Sequence, residues 1–242
     1  MSITKEEQKV LAARTAVDTL IAGKQIFSGM KIGLGTGSTA MPAVKRLAER
    51  IHDGTLRDIK AVATSFQTVL ACEELGIPAY TMNDRIIGGR LDLAIDGADE
   101  IGPGNTLIKG GGAALLREKI IAYNAVAFAI VADESKVVAS HGTGFPLPVE
   151  IIPESRVPVM QALQELGAEC TLREGVRKAG PVITDNGNMI LDCLWKKAVD
   201  PCAMEDAINR ITGVVECGFF TKLVPTAFVA HADGSVETLR KA

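Results

Sequence analysis

The chain has 242 residues, enough for one large or two small domains with proper cores. Hydrophobic residues make up 47% and charged residues 23%, the balance of an ordinary soluble globular protein. A net charge of −3 without a basic stripe argues against a nucleic-acid partner, and the longest apolar run, residues 125–132, is too short to span a membrane.

The opening run MSITKEEQKV is charged and has no apolar core, so no signal peptide is expected. Residues 5–22 carry Val10, Leu11, Ala13, Val17, Leu20 and Ile21 at helical spacing. A first strand follows at 31–35, and its exit, Gly35-Thr36-Gly37-Ser38-Thr39, opens a helix to about Arg50. The next strand spans 59–63, with Ser65 as N-cap of a helix ending near Gly76. Further strands are expected at 78–81, 91–95 and 125–132. This alternation predicts an α/β fold, a mostly parallel sheet covered on both faces.

After Asp133-Glu134-Ser135-Lys136 the texture changes, with Pro146, Pro148, Pro153 and Pro158 close together. Strands at 147–152, 168–173, 181–184 with 188–194, and 213–217 alternate with helices at 155–166 and 203–211. Asp185-Asn186-Gly187-Asn188 has hairpin-turn residues. The pattern predicts a small inserted α+β, ferredoxin-like domain. The tail adds a strand at 227–230, a turn at Asp233-Gly234 and a basic end, and is expected to return to the first sheet. The expected division is residues 1–142, completed by 217–242, against 143–216.

The chemistry concentrates between Asp96 and Glu118. Asp96 and Asp99 follow the strand at 91–95, where open α/β sheets bind ligands. Lys109 leads Gly110, Gly111 and Gly112 into a helix read from Ala113. Each feature also has a plain structural reading: turn residues, a mobile glycine loop, a lysine neutralising two aspartates. Glu118 sits about six residues into that helix, roughly 9 Å along its axis, with Ala114 and Leu115 on its side. An apolar flank makes a carboxylate more basic, whereas a solvated Glu beside Arg117 and Lys119 would be bland.

Gly33-Leu34-Gly35-Thr36-Gly37-Ser38 stops short of the dinucleotide fingerprint, because Ser38 holds the last position and no acid follows at the right distance. No Gly-Lys-Ser/Thr ends the loop either, so neither NAD nor a nucleotide triphosphate is expected. What remains is a strand–loop–helix with Thr36, Ser38 and Thr39 at a helix N-terminus, suited to a small phosphate or to simple capping. Cys72, Cys170, Cys193, Cys202 and Cys217 are scattered and read as buried thiols of a reducing cytoplasm. His52, His141 and His231 are isolated, and nothing has metal-ligand spacing, so no cofactor is expected.

The runs GLGTGSTA, ATSFQT, LDLAIDGADEI, LIKGGGAALLREKI, ADESKVV, FPLPVEIIP, VITDNGN and DPCAMEDAINRITGVVECGFF together closely resemble ribose-5-phosphate isomerase of the A type, in order and over nearly the whole chain. The resemblance implies a Rossmann-like domain with an inserted α+β lobe. It implies a metal-free, cytoplasmic aldose–ketose isomerase of the pentose phosphate pathway, acting on a small sugar phosphate and assembled as a homodimer or tetramer. It places the phosphate loop on Thr36, Gly37, Ser38 and Thr39, and the acidic motif on Asp96, Gly97, Ala98 and Asp99. Lys109, Gly110, Gly111 and Gly112 fall on its Lys-Gly-Gly-Gly, Glu118 on the proton acceptor and Lys136 on a substrate-contacting lysine.

The sequence departs from the pattern in three places. Lys24-Gln25-Ile26-Phe27 adds length before the first strand. Arg14 stands near where many members carry a substrate-side lysine. Val176 to Gly180 lengthens a hairpin approach. Two other classes share parts of the pattern: a non-catalytic sugar-phosphate sensor and a CoA-transferase with a glutamate nucleophile. The sensor would need a DNA-binding module, for which residues 1–30 lack length and basic charge.

Overall fold

The computed structural model describes residues 2–240, so Met1 of the charged start and Lys241 of the basic end lie outside the described residues. In chain order the elements begin with α1 (Lys5–Ala22), β1 (Lys31–Leu34), α2 (Gly37–His52), β2 (Lys60–Ala63), α3 (Phe66–Glu74) and β3 (Ala79–Tyr80). Next come β4 (Leu91–Gly97), β5 (Glu100–Ile101), β6 (Leu107–Ile108), α4 (Leu115–Tyr123) and β7 (Ala125–Asp133). The remainder is β8 (Leu147–Ile151), α5 (Arg156–Glu165), β9 (Ala168–Leu172), β10 (Met189–Trp195), α6 (Pro201–Ile208), β11 (Val214–Cys217), β12 (Phe219–Phe220), β13 (Thr226–Ala230) and β14 (Val236–Leu239).

The chain forms two compact units. One takes residues up to Ala98, Arg117–Lys136 and those from Leu223 on; the other takes Asp99–Leu116 and Val137–Lys222.

The first unit is built on a seven-stranded sheet in the order β14-β13-β7-β4-β1-β2-β3. Every pairing in it is parallel except β13 with β14. Strand alternation assigns the faces. Ile32 and Leu34 of β1, Leu93 and Ile95 of β4, and Ala129 and Val131 of β7 join one core with Ala13, Ala16 and Val17 of α1 and Val44 and Leu47 of α2. Gly33 points the other way, where a Cβ would meet Ile121 of α4 at 2.3 Å. Both faces are therefore covered, as the alternating sequence predicts. The tail does return to this sheet, β13 pairing with β7.

The second unit holds a four-stranded antiparallel sheet in the order β11-β8-β10-β9. Each β–α–β pair, β8 with β9 and β10 with β11, is split by a strand of the other, which is the predicted ferredoxin-like pattern. Leu147, Val149, Ile151, Leu163, Leu191, Ile208 and Phe219 make its core. A small sheet, β12-β6-β5, completes the unit.

Three expectations need correction. Residues 181–184 form only isolated bridges, Glu174 with Pro181 and Ile183 with Met189, because Pro181 has no N–H to give a ladder. The turn beyond them is as read: Gly187 takes φ +82°, and the Thr184 amide donates to the Asn188 carbonyl at 2.9 Å. The five thiols are not all buried, since Cys202 is exposed and Cys170 half-buried. The helix carrying Glu118 starts at Leu115 and not at Ala113, whose φ of +59° cannot belong to a right-handed helix.

Candidate active site

In the first unit the strand order reverses at β1: β2 and β3 lie on one side, β4 and β7 on the other. The carboxyl ends of β1 and β4 meet at this switch point, the usual ligand crevice of an open α/β sheet. The two ends are packed so closely that Gly35 can only be glycine. A Cβ there would lie 1.9 Å from the Asp96 carboxylate and 2.7 Å from the Asp96 Cα.

Asp96 is buried and lies inside β4 rather than beyond its end. Its Oδ1 accepts the amides of Thr36 at 3.3 Å and Gly97 at 2.7 Å. The carboxylate thus holds the phosphate-loop candidate in place. Thr36 is the N-cap of α2, yet its side chain makes no capping bond. Its hydroxyl instead joins Thr64, Ser65 and Thr68 at 2.6, 2.7 and 3.2 Å, and Thr68 donates on to the Gly35 carbonyl at 2.8 Å. The Gly37 amide donates to Gln67 Oε1. Ser38 and Thr39 lie within the first turn of α2, so neither is the cap.

Lys9 of α1 was not singled out by sequence. Its ammonium reaches Ser38 Oγ at 3.3 Å and Glu6 at 2.6 Å, with the side chain only 16% exposed. A cation, a hydroxyl and a helix N-terminus together suit an anionic group. Arg14 is engaged elsewhere, with Glu49 at 2.8 Å.

Glu118 lies in the first turn of α4 and is 5% exposed. It is therefore about 4.5 Å into the helix rather than 9 Å. One turn on, Ile121 packs over Gly33 of β1, which seats this face of α4 on the sheet. Lys136 follows β7 in a short 3-10 turn, Glu134–Lys136. That turn is fastened by Asp133, which accepts the Ser135 amide, and by Glu134, which binds His231 at 3.1 Å and the Ala232 amide at 3.2 Å.

In the second unit Asp99 Oδ2 accepts the Gly111 amide at 2.7 Å. Lys109 is buried at the end of β6, its amide donating to Gly218 O and its ammonium 5.5 Å from the Phe220 ring centre. Gly110 has φ +103°, and a Cβ on it would meet Leu115 Cβ at 2.7 Å. Arg173 Nη1 donates to the carbonyls of both Gly110 and Gly111 at 3.0 Å, while its other nitrogens grip Asp192 at 2.8 and 2.5 Å. The glycine run is thus tied on several sides, contrary to a mobile loop, and the Gly111 amide is committed to Asp99. Glu100, next to Asp99, turns inward to bind His141 Nδ1 at 2.9 Å and the Phe145 amide at 2.7 Å. His141 is therefore not isolated in the fold.

The structure thus gathers Thr36, Gly37, Ser38, Thr39, Asp96, Gly97 and Ala98 at one switch point with Lys9, and Asp99, Lys109, Gly110, Gly111 and Gly112 in one tied segment. Among the described residues no group of three or more His, Cys, Asp or Glu side chains is arranged to hold a metal ion. No helix of these residues is long and apolar enough to cross a membrane.

The family model of ribose 5-phosphate isomerase A (phosphoriboisomerase A) matches residues 60–234. The ribose-5-phosphate isomerase A of Treponema denticola is 60% identical over 96% of this chain and 98% of its own length. That of Treponema pallidum is 55% identical over 95% and 91%. The solved ribose 5-phosphate isomerase A of Methanocaldococcus jannaschii superposes with a TM-score of 0.89 at 42% identity, covering 98% of this chain and all of that one. A D-ribose-5-phosphate isomerase solved in complex with phospho-erythronic acid superposes at 0.91 with 40% identity over the same 98%. A match of this length and identity, on a fold with an inserted ferredoxin-like sheet, makes this chain a member of the ribose-5-phosphate isomerase A family.

Proposed function

We propose that the protein interconverts D-ribose 5-phosphate and D-ribulose 5-phosphate through a metal-free cis-enediolate, with Glu118 as the base. The observation that carries this reading is the 60% identity to a ribose-5-phosphate isomerase A across 96% of the chain. The site chemistry supports it. The first turn of α2, Ser38, Thr39 and Lys9 bind the phosphate, and this remote binding energy orients the reacting carbons. Asp96 assists opening of the sugar ring, and Asp99 orients it or holds hydroxyls.

Glu118 removes the C2 proton of the open aldose and leaves negative charge on the C1 oxygen. The same carboxyl returns a proton to C1, while the O2 proton passes to the charged C1 oxygen, leaving O1 as a hydroxyl and O2 as the ketose carbonyl. Lys109 is placed here as the donor to the developing oxyanion, where such contacts lower the barrier most. Glycine amides of its segment were expected to help; with Gly111 donating to Asp99, that share falls to Gly110 and Gly112. Lys136 contacts substrate. The domain division is read as 1–142 with 217–242 against 143–216, from the change of texture after Lys136 and the prolines that follow it. Assembly as a homodimer or tetramer in the cytoplasm is part of the same reading. A coupled assay for ribulose 5-phosphate tests it. Turnover of ribose 5-phosphate is expected; binding without turnover would favour a sensor, and acyl transfer from CoA a transferase.

A further inference from the structure

Cys170 and Cys193 face each other across β9 and β10 as a register pair, with their sulfurs 3.3 Å apart. Directly opposed residues of an antiparallel pair have Cα atoms about 4.5–5.5 Å apart, inside the range a disulfide bridges. Closure to an S–S bond of about 2.05 Å needs the sulfurs to approach by only about 1.3 Å. The two thiols differ in access: Cys193 is fully buried, Cys170 half-buried. Their hydrogen bond sorts them further. It holds the Cys170 thiol below the usual range against the opposing effect of burial, and together with burial it pushes Cys193 well above. Cys170 is thus the reachable sulfur and the more readily deprotonated of the two, and Cys193 the resolving one.

The same strands carry the arginine clamp. Asp192 precedes Cys193 in β10 and is paired with Thr171, next to Cys170. Arg173, just past β9, joins the Asp192 carboxylate to the carbonyls of Gly110 and Gly111. Alternation puts thiols and clamp on opposite faces of adjacent register pairs.

We propose that Cys170 and Cys193 form a peroxide-oxidisable dithiol whose closure to a disulfide displaces the Arg173–Asp192 clamp on the Lys-Gly-Gly-Gly segment and slows turnover. The Cys170 thiolate attacks one peroxide oxygen, the O–O bond breaks, and hydroxide leaves to become water, giving a sulfenic acid. The Cys193 sulfur then attacks the Cys170 sulfur, the S–O bond breaks, and a second water departs with the thiol proton. Two thiols lose two electrons and two protons to one hydrogen peroxide, yielding one disulfide and two waters. The effect on turnover rests on the isomerase reading; the cross-link does not.

The test treats the full-length protein with hydrogen peroxide and maps it by mass spectrometry without reduction. A 170–193 cross-linked peptide, two hydrogens lighter, is expected. Ribose 5-phosphate kcat is expected to fall by about tenfold, since a 1 Å misplacement can cost up to about 10²-fold. Dithiothreitol should restore it. Cys170→Ala should show neither cross-link nor loss, whereas Cys202→Ser should behave as the wild type and so discount the exposed thiol. Peroxide uptake at Cys202 alone, with 170 and 193 still reduced, overturns the site. A full cross-link with unchanged kcat overturns the coupling to the clamp.

Discussion

Lys9 is the residue that most changes the site as read from sequence. It lies in a helix legible from its apolar spacing, but that spacing says nothing of which polar side chain meets another element. Arg14 of the same helix turns to Glu49, while Lys9 reaches Ser38. Which face of α1 meets the start of α2 is tertiary information, and only packing supplies it. Lys9→Met is expected to raise KM for ribose 5-phosphate by about tenfold or more, the scale of a hydrogen bond to a charged group. Ser38→Ala combined with Thr39→Ala should likewise act on KM, because phosphate contacts are alike in ground and transition states. Steady-state kinetics on folded variants checks both. An unchanged KM would leave the loop a helix start and nothing more. The glycine of Gly35 was readable as loop chemistry, but its reason, the Asp96 carboxylate 1.9 Å from any Cβ, was not.

Elements were largely legible, since apolar periodicity and caps are local signals. Ser65 does accept the Thr68 amide as an N-cap. The failures are also physical: the positive φ of Ala113 delays α4, and Pro181 denies its segment a ladder. Invisible in the sequence is what fastens the elements. Glu150, wholly buried on β8, accepts from Thr184, Asn186 and Asn188 of the hairpin turn at 2.9, 3.0 and 2.8 Å. Glu150→Ala leaves the buried Thr184 hydroxyl without its acceptor, whereas the exposed Asn186 amide can turn to water, so a loss of about 1–2 kcal/mol is expected in denaturant melts.

Asp18 of α1 joins Arg46 and Arg50 of α2 at 2.6 and 2.9 Å. Burial opposes its charge, but the bonds from Arg46 and Arg50 prevail and hold the carboxyl below its usual range. A lowered folded value means the stabilisation is full above about pH 4 and is lost as pH falls through that value. With 38% of the side chain exposed, solvent screens the pair. Asp18→Asn should therefore cost no more than about 1 kcal/mol, or about 2–4 °C in Tm. The gap between variant and wild type should close on acidification; a gap that persists at pH 2 would assign the effect to packing.

At the scale of the whole molecule, the strand–helix alternation and the split β–α–β pattern are both borne out, because each is a matter of element order. The residues of the proposed chemistry divide between the two units, Glu118 and Asp96 in one, Lys109 and Asp99 in the other. Motif density in the sequence pointed to that set; spacing alone could not say which unit each residue joins. An enediolate route through Glu118 and Lys109 makes no demand on a metal, so turnover should survive exhaustive chelation. Activity lost with EDTA and restored by a divalent ion would contradict that route.

The most direct test is Glu118→Gln, which keeps the size of the side chain and most of its hydrogen bonds but removes the basic lone pair. General bases contribute about 10²–10⁴-fold, so kcat should drop by at least that factor, about 3–5 kcal/mol of barrier. KM should move little, since the base acts chiefly in the transition state. Run in D₂O, the wild type should place some deuterium at C1 of the ketose or C2 of the aldose. A Glu118→Gln variant that folds and keeps near-wild-type kcat would contradict the assignment and move the search for the base to Asp96.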